Sequence, residues 1–120
     1  MDFLPAVTTC LRKYATFEGR ASRSEFWWFV LFNTLVGAAA RIVDVASGHR
    51  DGDGVLSGLV WLALLLPSLA ASCRRLHDIG RSGWWMLVDF VPLLGWLVTL
   101  YWNCSKGDAG ENLYGTDPLA

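Results

Sequence analysis

The densest run of chemically able side chains is Arg74-Arg75-Leu76-His77-Asp78-Ile79-Gly80-Arg81-Ser82-Gly83-Trp84-Trp85. Three guanidiniums beside two indoles suit a phosphate headgroup, because arginine presents forked donors that match phosphate oxygens. If a helix continues through this run, Arg74, His77, Asp78 and Arg81 share one face at i, i+3, i+4 and i+7, and Arg74 can pair with Asp78. His77 and Asp78 are neighbours, so on a helix they point about 100° apart and form no orienting pair. His77 reads as a surface or capping histidine, able to titrate near neutral pH.

A second set is polar residues in apolar surroundings. Asn33, Ser68 and Asp89 each lie five to seven residues from the same end of an apolar stretch, roughly 8 to 10 Å deep at the rise of a helix. An acid at that depth is costly and marks a functional position by default. Asp89 is therefore expected to face inward and accept from Asn33 or Ser68, and either to pair with Arg74 or Arg75 or to stay protonated. The transport reading of this set requires an oligomer with a polar pore. Ser22-Arg23-Ser24-Glu25 fits a capping box, and the Glu25 carboxylate can also bridge to Arg74 or Arg75.

Metal and cofactor chemistry is not expected. Cys10, Cys73 and Cys104 are an odd set without paired spacing and read as small apolar residues. The polar run 47–54, with Asp51 and Asp53 each before a glycine, lacks the ligand series and bridging glutamate of a calcium loop and reads as a plain turn.

The elements that must position these groups follow from how charge is distributed. The chain has 120 residues, 53% of them apolar and 18% charged. Segments 26–46, 55–73 and 84–104 together hold three charges, Arg41, Asp44 and Asp89. A membrane span needs roughly 20 apolar residues, so the expected fold is all-α and integral to a membrane, one domain with spans at those segments. Phe3, Val7, Leu11 and Tyr14 recur at helical spacing, with Asp2 as a cap and Gly19 as a stop, predicting a short amphipathic helix over about 3–17, interfacial or else packed against the helix bundle. Arg41 and Asp44 are close enough to pair. Pro67 frees the carbonyl of Ala63 and predicts a kink. Residues 105–120 form a polar tail of turns.

Arg12, Lys13, Arg20 and Arg23 precede the first span, and Arg74, Arg75 and Arg81 follow the second. The positive-inside bias places both groups in the cytoplasm, and three spans then put the tail outside. A net charge of −1, with basic residues at membrane boundaries, excludes a nucleic-acid partner. Segment 26–36 followed by Ala38-Ala39-Ala40 has the form of a cleaved leader, but the patterned residues before it argue for retention.

The runs from Phe17 to Trp27, Arg74 to Trp85 and Gly107 to Pro118 together resemble the bacterial inner-membrane family of YhaH-like proteins called domain of unknown function 805. Within the last run, Gly110, Asn112, Tyr114, Gly115, Asp117 and Pro118 stand in the closing motif, with Leu113 where a basic residue is more usual. Asp89 also departs from that pattern. The resemblance implies a multi-pass inner-membrane protein with no assigned activity.

The expected function is a noncatalytic module that binds anionic phospholipid, or a protein partner or second copy, through Arg74, Arg75, His77, Asp78, Arg81, Trp84 and Trp85. Ser22, Glu25, Asn33, Ser68 and Asp89 form its polar network. Gly80-Arg81-Ser82-Gly83 resembles the serine motif of rhomboid-type intramembrane proteases. Proteolysis would need a histidine from another helix beside Ser82, and His77 and His49 are the only two in the chain.

Overall fold

The computed structural model describes residues 2–48 and 55–118. The helical elements among them are α1 (Phe3–Arg12), α2 (Arg23–Ala46), α3 (Val55–Asp78), a 3₁₀ segment (Gly83–Phe90) and α4 (Leu94–Cys104). No strand occurs among the described residues, only an isolated antiparallel bridge between Asn112 and Gly115. His49, Arg50, Asp51 and Asp53 of the expected polar turn lie outside them.

Among the described residues two helices, α2 and α3, are long and apolar enough to cross a membrane, their most apolar stretches having mean hydropathies of 1.6 and 2.0. Each has 24 residues, about 36 Å of helix. The α2 start is built as expected, since the Ser22 hydroxyl accepts from the Glu25 amide at 3.3 Å. At the far end, Asp44 does not spend its oxygens in the way its spacing to Arg41 predicts. It reaches across to α3 and accepts from the Leu56 and Ser57 amides at 3.2 and 2.9 Å. A carboxylate satisfying orphan amides at a helix N-terminus also complements the helix dipole.

The α1 helix stops at Arg12 rather than near residue 17, and it packs on the bundle. Its Ala6, Val7 and Cys10 are buried, and Cys10 meets Phe29 and Ala71 in the core. Asp2 occupies the cap position without a side-chain bond. Just past its end, the Tyr14 hydroxyl donates to the Ala63 carbonyl. That carbonyl sits four residues before Pro67, the residue that has no amide to offer it.

The expected third span, 84–104, is not one helix. The 3₁₀ segment ends at Phe90, the chain turns through Val91, Pro92 and Leu93, and α4 returns antiparallel against it. Three residues explain the turn. Pro92 cannot continue a helical ladder. Leu93 takes a left-handed φ of +66°. Gly95 lets the two backbones touch, since a Cβ there would fall 1.8 Å from the Val88 carbonyl oxygen. The turn satisfies its own carbonyls: those of Val88, Val91, Pro92 and Leu93 accept from nearby amides, and that of Asp89 accepts from the Trp96 indole at 3.1 Å. Such internal pairing is what non-helical backbone needs away from water. The tail therefore lies at the end of the bundle where α2 begins and α3 finishes, not at the opposite end. Cys73 and Cys104 consequently share that end as free thiols, the first buried and the second exposed.

Candidate functional site

The last turn of α3 carries Arg74, Arg75 and Asp78, and all three are buried. Buried charge is tolerated only where it is paired and hydrogen-bonded. Asp78 supplies most of the pairing. Its Oδ1 accepts from Nε of Arg20 at 3.0 Å and its Oδ2 from Nη1 of Arg75 at 2.9 Å. The expected Arg74–Asp78 pair is not formed, because Arg74 points into the α1–α2 side. There its Nη1 donates to Glu25 Oε2 at 2.6 Å. Glu25 therefore does not close the capping box; it joins the first long helix to the second. Nε and Nη2 of Arg74 are buried without hydrogen-bond partners, beside Cys10. Burial, and then the nearby Glu25, push the Cys10 thiol up to about 11 against the opposing pull of Arg74, so it stays protonated at neutral pH.

The remaining guanidinium donors hold backbone. Arg20 donates to the carbonyls of Asp108, Gly110 and Gly115, strapping the tail to α3. Gly107 makes that approach possible, since a Cβ there would lie 2.0 Å from Asp78 Oδ2. Arg75 donates to Trp102, Asn103 and Ser105 carbonyls. Arg23 donates to Cys104 at 3.1 Å and the Trp27 indole to Asn103 at 2.9 Å. Two cations thus sit at the negative end of the α4 dipole, on carbonyls the helix itself leaves open. These contacts are why the hairpin returns to the end from which it started.

The tail motif completes the hub. Asn112 donates to the His77 carbonyl at 2.9 Å and to Asp108 Oδ2 at 3.1 Å, while its own oxygen accepts from the Tyr114 amide at 2.8 Å. Asp117 accepts from the Gly110 amide at 3.0 Å, with Pro118 following it. The Tyr114 ring stacks on His77, centroids 4.1 Å apart and planes within 3°. His77 is therefore buried rather than a surface residue; its Nδ1 donates to the Gly19 carbonyl at 2.9 Å and its Nε2 lies 3.6 Å from Cys73 Sγ.

Of the expected phosphate-binding side chains, only Arg81, Trp84 and Trp85 face outward. The Arg81 guanidinium lies 4.6 Å from the centroid of the Trp102 ring and 5.8 Å from that of Trp85, within cation–π range. The intramembrane set divides. Asn33 donates to Ser68 at 2.8 Å across α2 and α3, and both line a cavity of about 420 Å³. Asp89 joins neither; it accepts from Thr99 within the hairpin, because the turn at Pro92 takes it off the straight helix that would have carried it inward. Arg20, Asn103 and Gly107 are the hub residues that sequence reasoning missed as site members. Arg20 stood in the recognised N-terminal run, but its spacing alone does not reveal a partner 58 residues away.

The family model described as a protein of unknown function (DUF805) matches residues 14–116. The chain belongs to the DUF805 family. Among DUF805 relatives it is 47% identical over 108 residues, 90% of each chain, to the inner membrane protein YhaI of Escherichia coli K12. It is 39% identical over 110 residues, 90% of this chain and 91% of the relative, to the inner membrane protein YhaH of the same strain. The uncharacterized protein YiiR of that strain is 29% identical over 133 residues, 85% of each. No solved structure matches the chain significantly. As a DUF805 fold, this one rests visibly on its ion pairs. Glu25→Gln, which keeps the shape but removes the charge opposite Arg74, is expected to cost about 2 kcal/mol, typical of a hydrogen bond to a charged group. Unfolding in mixed micelles of sodium dodecyl sulfate and dodecyl maltoside measures this; an unchanged midpoint would mean the bridge adds no stability.

Proposed function

We propose that the chain is a noncatalytic inner-membrane protein, N-terminus in the cytoplasm, that holds anionic phospholipid at a rim of Arg81, Trp84, Trp85 and Trp102. The observation that carries this reading is the guanidinium of Arg81. It is exposed, rests on two indole faces, and makes no ion pair with any described carboxylate. Arg20, Arg74 and Arg75 are committed to internal partners and are not part of the rim. Trp84 is 79% exposed beside it, as suits an indole at headgroup depth. The return of the tail gathers Lys106 to the same end as Arg20, Arg23, Arg74, Arg75 and Arg81, which favours that end as cytoplasmic. Surface acids in the tail weigh little in this bias.

Native mass spectrometry of the protein released from phosphatidylglycerol nanodiscs tests the reading. Bound phospholipid is expected on the parent, and Arg81→Gln is expected to weaken retention about fivefold, the worth of roughly one kcal/mol per basic residue at an anionic surface. Equal retention by parent and Arg81→Gln would remove the assignment of the rim.

A further inference from the structure

A second constellation, centred on Cys73 and His77, borders the lipid rim at Trp84, and the rim does not use its thiol or imidazole. The geometry points to Cys73 as an acyl-acceptor site, whose thiol takes the acyl group of a medium- or long-chain acyl thioester with His77 as the base. Four observations converge there. Cys73 and His77 are one helical turn apart, and Sγ lies 3.6 Å from Nε2. The Gly19 carbonyl accepts from Nδ1 at 2.9 Å, which places the ring proton on Nδ1 and leaves the Nε2 lone pair as one of two acceptors for the thiol, the other being the Phe17 carbonyl at the same 3.6 Å. The Tyr114 ring, stacked at 4.1 Å, holds the imidazole plane. A nucleophile, a base within reach and a third group orienting the base is the arrangement that activates thiols.

The fourth observation is the space in front of the sulfur. A cavity of about 420 Å³ opens beside it, lined by Phe17, Cys73, His77, Ser82, Gly83, Trp84 and Met86. Gly83 begins the 3₁₀ segment, and a Cβ there would fall 2.3 Å from Sγ, so the thiol rests against the first residue of a helical N-terminus. The lining is mostly apolar and ends at the exposed Trp84. Such a lining suits an acyl chain whose carbonyl reaches the thiol. The other two cysteines lack this setting. Cys10 has Arg74 and Glu25 beside it, and Cys104 is exposed.

The step balances without an oxidant. The Cys73 proton passes to Nε2 of His77, and the thiolate attacks the carbonyl carbon of the acyl thioester. The donor's carbon–sulfur bond breaks, and the departing thiolate takes the proton back from Nε2. The products are S-acyl Cys73 and a free thiol. The tail contributes by fixing His77 through Tyr114, so a structural element acquires a chemical consequence.

The test uses the full chain carrying Cys10→Ser and Cys104→Ser, in phosphatidylcholine nanodiscs at neutral pH with octanoyl-coenzyme A. One octanoyl group is expected on Cys73, released by neutral hydroxylamine, and Cys73→Ser should acquire none. His77→Gln is expected to slow attachment about a hundredfold, the usual worth of a positioned base. Octanoyl-coenzyme A should also react faster than acetyl-coenzyme A, whose chain is too short to fill the cavity. That comparison needs no substitution at His77 and decides the matter if His77→Gln does not fold. Equal rates for the two thioesters, equal rates for the parent and a folded His77→Gln, or acylation that occurs only after unfolding in detergent would each overturn the assignment.

Discussion

Asp78→Ala is expected to destabilise the fold by about 3–5 kcal/mol, the cost of removing one partner from a buried ion pair and leaving its charge behind. Asp78 is 2% exposed, and each of its oxygens takes a different guanidinium, Arg20 through Oδ1 and Arg75 through Oδ2. Alanine strands both cations in a space from which water is largely excluded. The loss then spreads, because those two arginines hold the tail and the end of α4 through backbone carbonyls. Trypsin should therefore cut after the exposed Lys106 much faster in Asp78→Ala than in the parent, alongside the earlier unfolding in mixed micelles. Asp78→Asn separates charge from shape. It preserves the packing against Gly107 and one set of hydrogen bonds, and its loss should fall between the two. A variant within about 1 kcal/mol of the parent, with the tail still protected, would show that the pair contributes no more than an exposed salt bridge does.

The two long helices were legible because a charge-free run of helical length has few other solutions. The Ser22 cap was legible for a local reason: its partner is three residues away. The matching heights of Asn33 and Ser68 could be counted along two continuous helices, and the structure joins them. The same counting failed for Asp89. It assumed an unbroken helix through Pro92, and the polar partner proved to be Thr99, ten residues on within the hairpin. The arginines were misread for another reason. A run of basic residues is ordinarily solvated, and burial became possible only through Glu25 and Asp78 together with carbonyls contributed by α4 and the tail. Nothing in the spacing of Arg20 or Asn103 advertises those encounters. Tyr14 is an intermediate case. The carbonyl freed by Pro67 was predictable, whereas the hydroxyl that satisfies it arrives from a segment 49 residues earlier.

Apolar composition also cannot decide between a span and a hairpin for residues 84–104, since about 20 helical residues would reach roughly 30 Å and cross. The choice rests on a backbone contact, so Gly95→Val is the substitution expected to reverse it. Its Cβ would fall 1.8 Å from the Val88 carbonyl oxygen, and the next nearest atoms also belong to the main chain, which has no flexible side chain to move aside. Overpacking of this kind costs about 3 kcal/mol at the upper end of its usual range. Splaying the hairpin also gives up the Trp85–Trp102 contact, the Asp89–Thr99 bond and one of the two rings beneath Arg81. Cys104 reports the outcome, because it is the exposed cysteine while Cys10 and Cys73 are buried. In sealed vesicles of the parent, a membrane-impermeant maleimide should reach Cys104 from the side that carries an N-terminal tag. In Gly95→Val a measurable fraction of Cys104 should become reactive only from the opposite side, as the freed segment straightens and crosses. The hairpin is favoured because the C-terminal end of α4 is held back against α2 and α3 by Arg23, Trp27 and Arg75, and a valine removes the close packing without touching those anchors. If labelling stays on the tagged side and stability is unchanged, the anchors alone hold the segment and the glycine crossing is incidental.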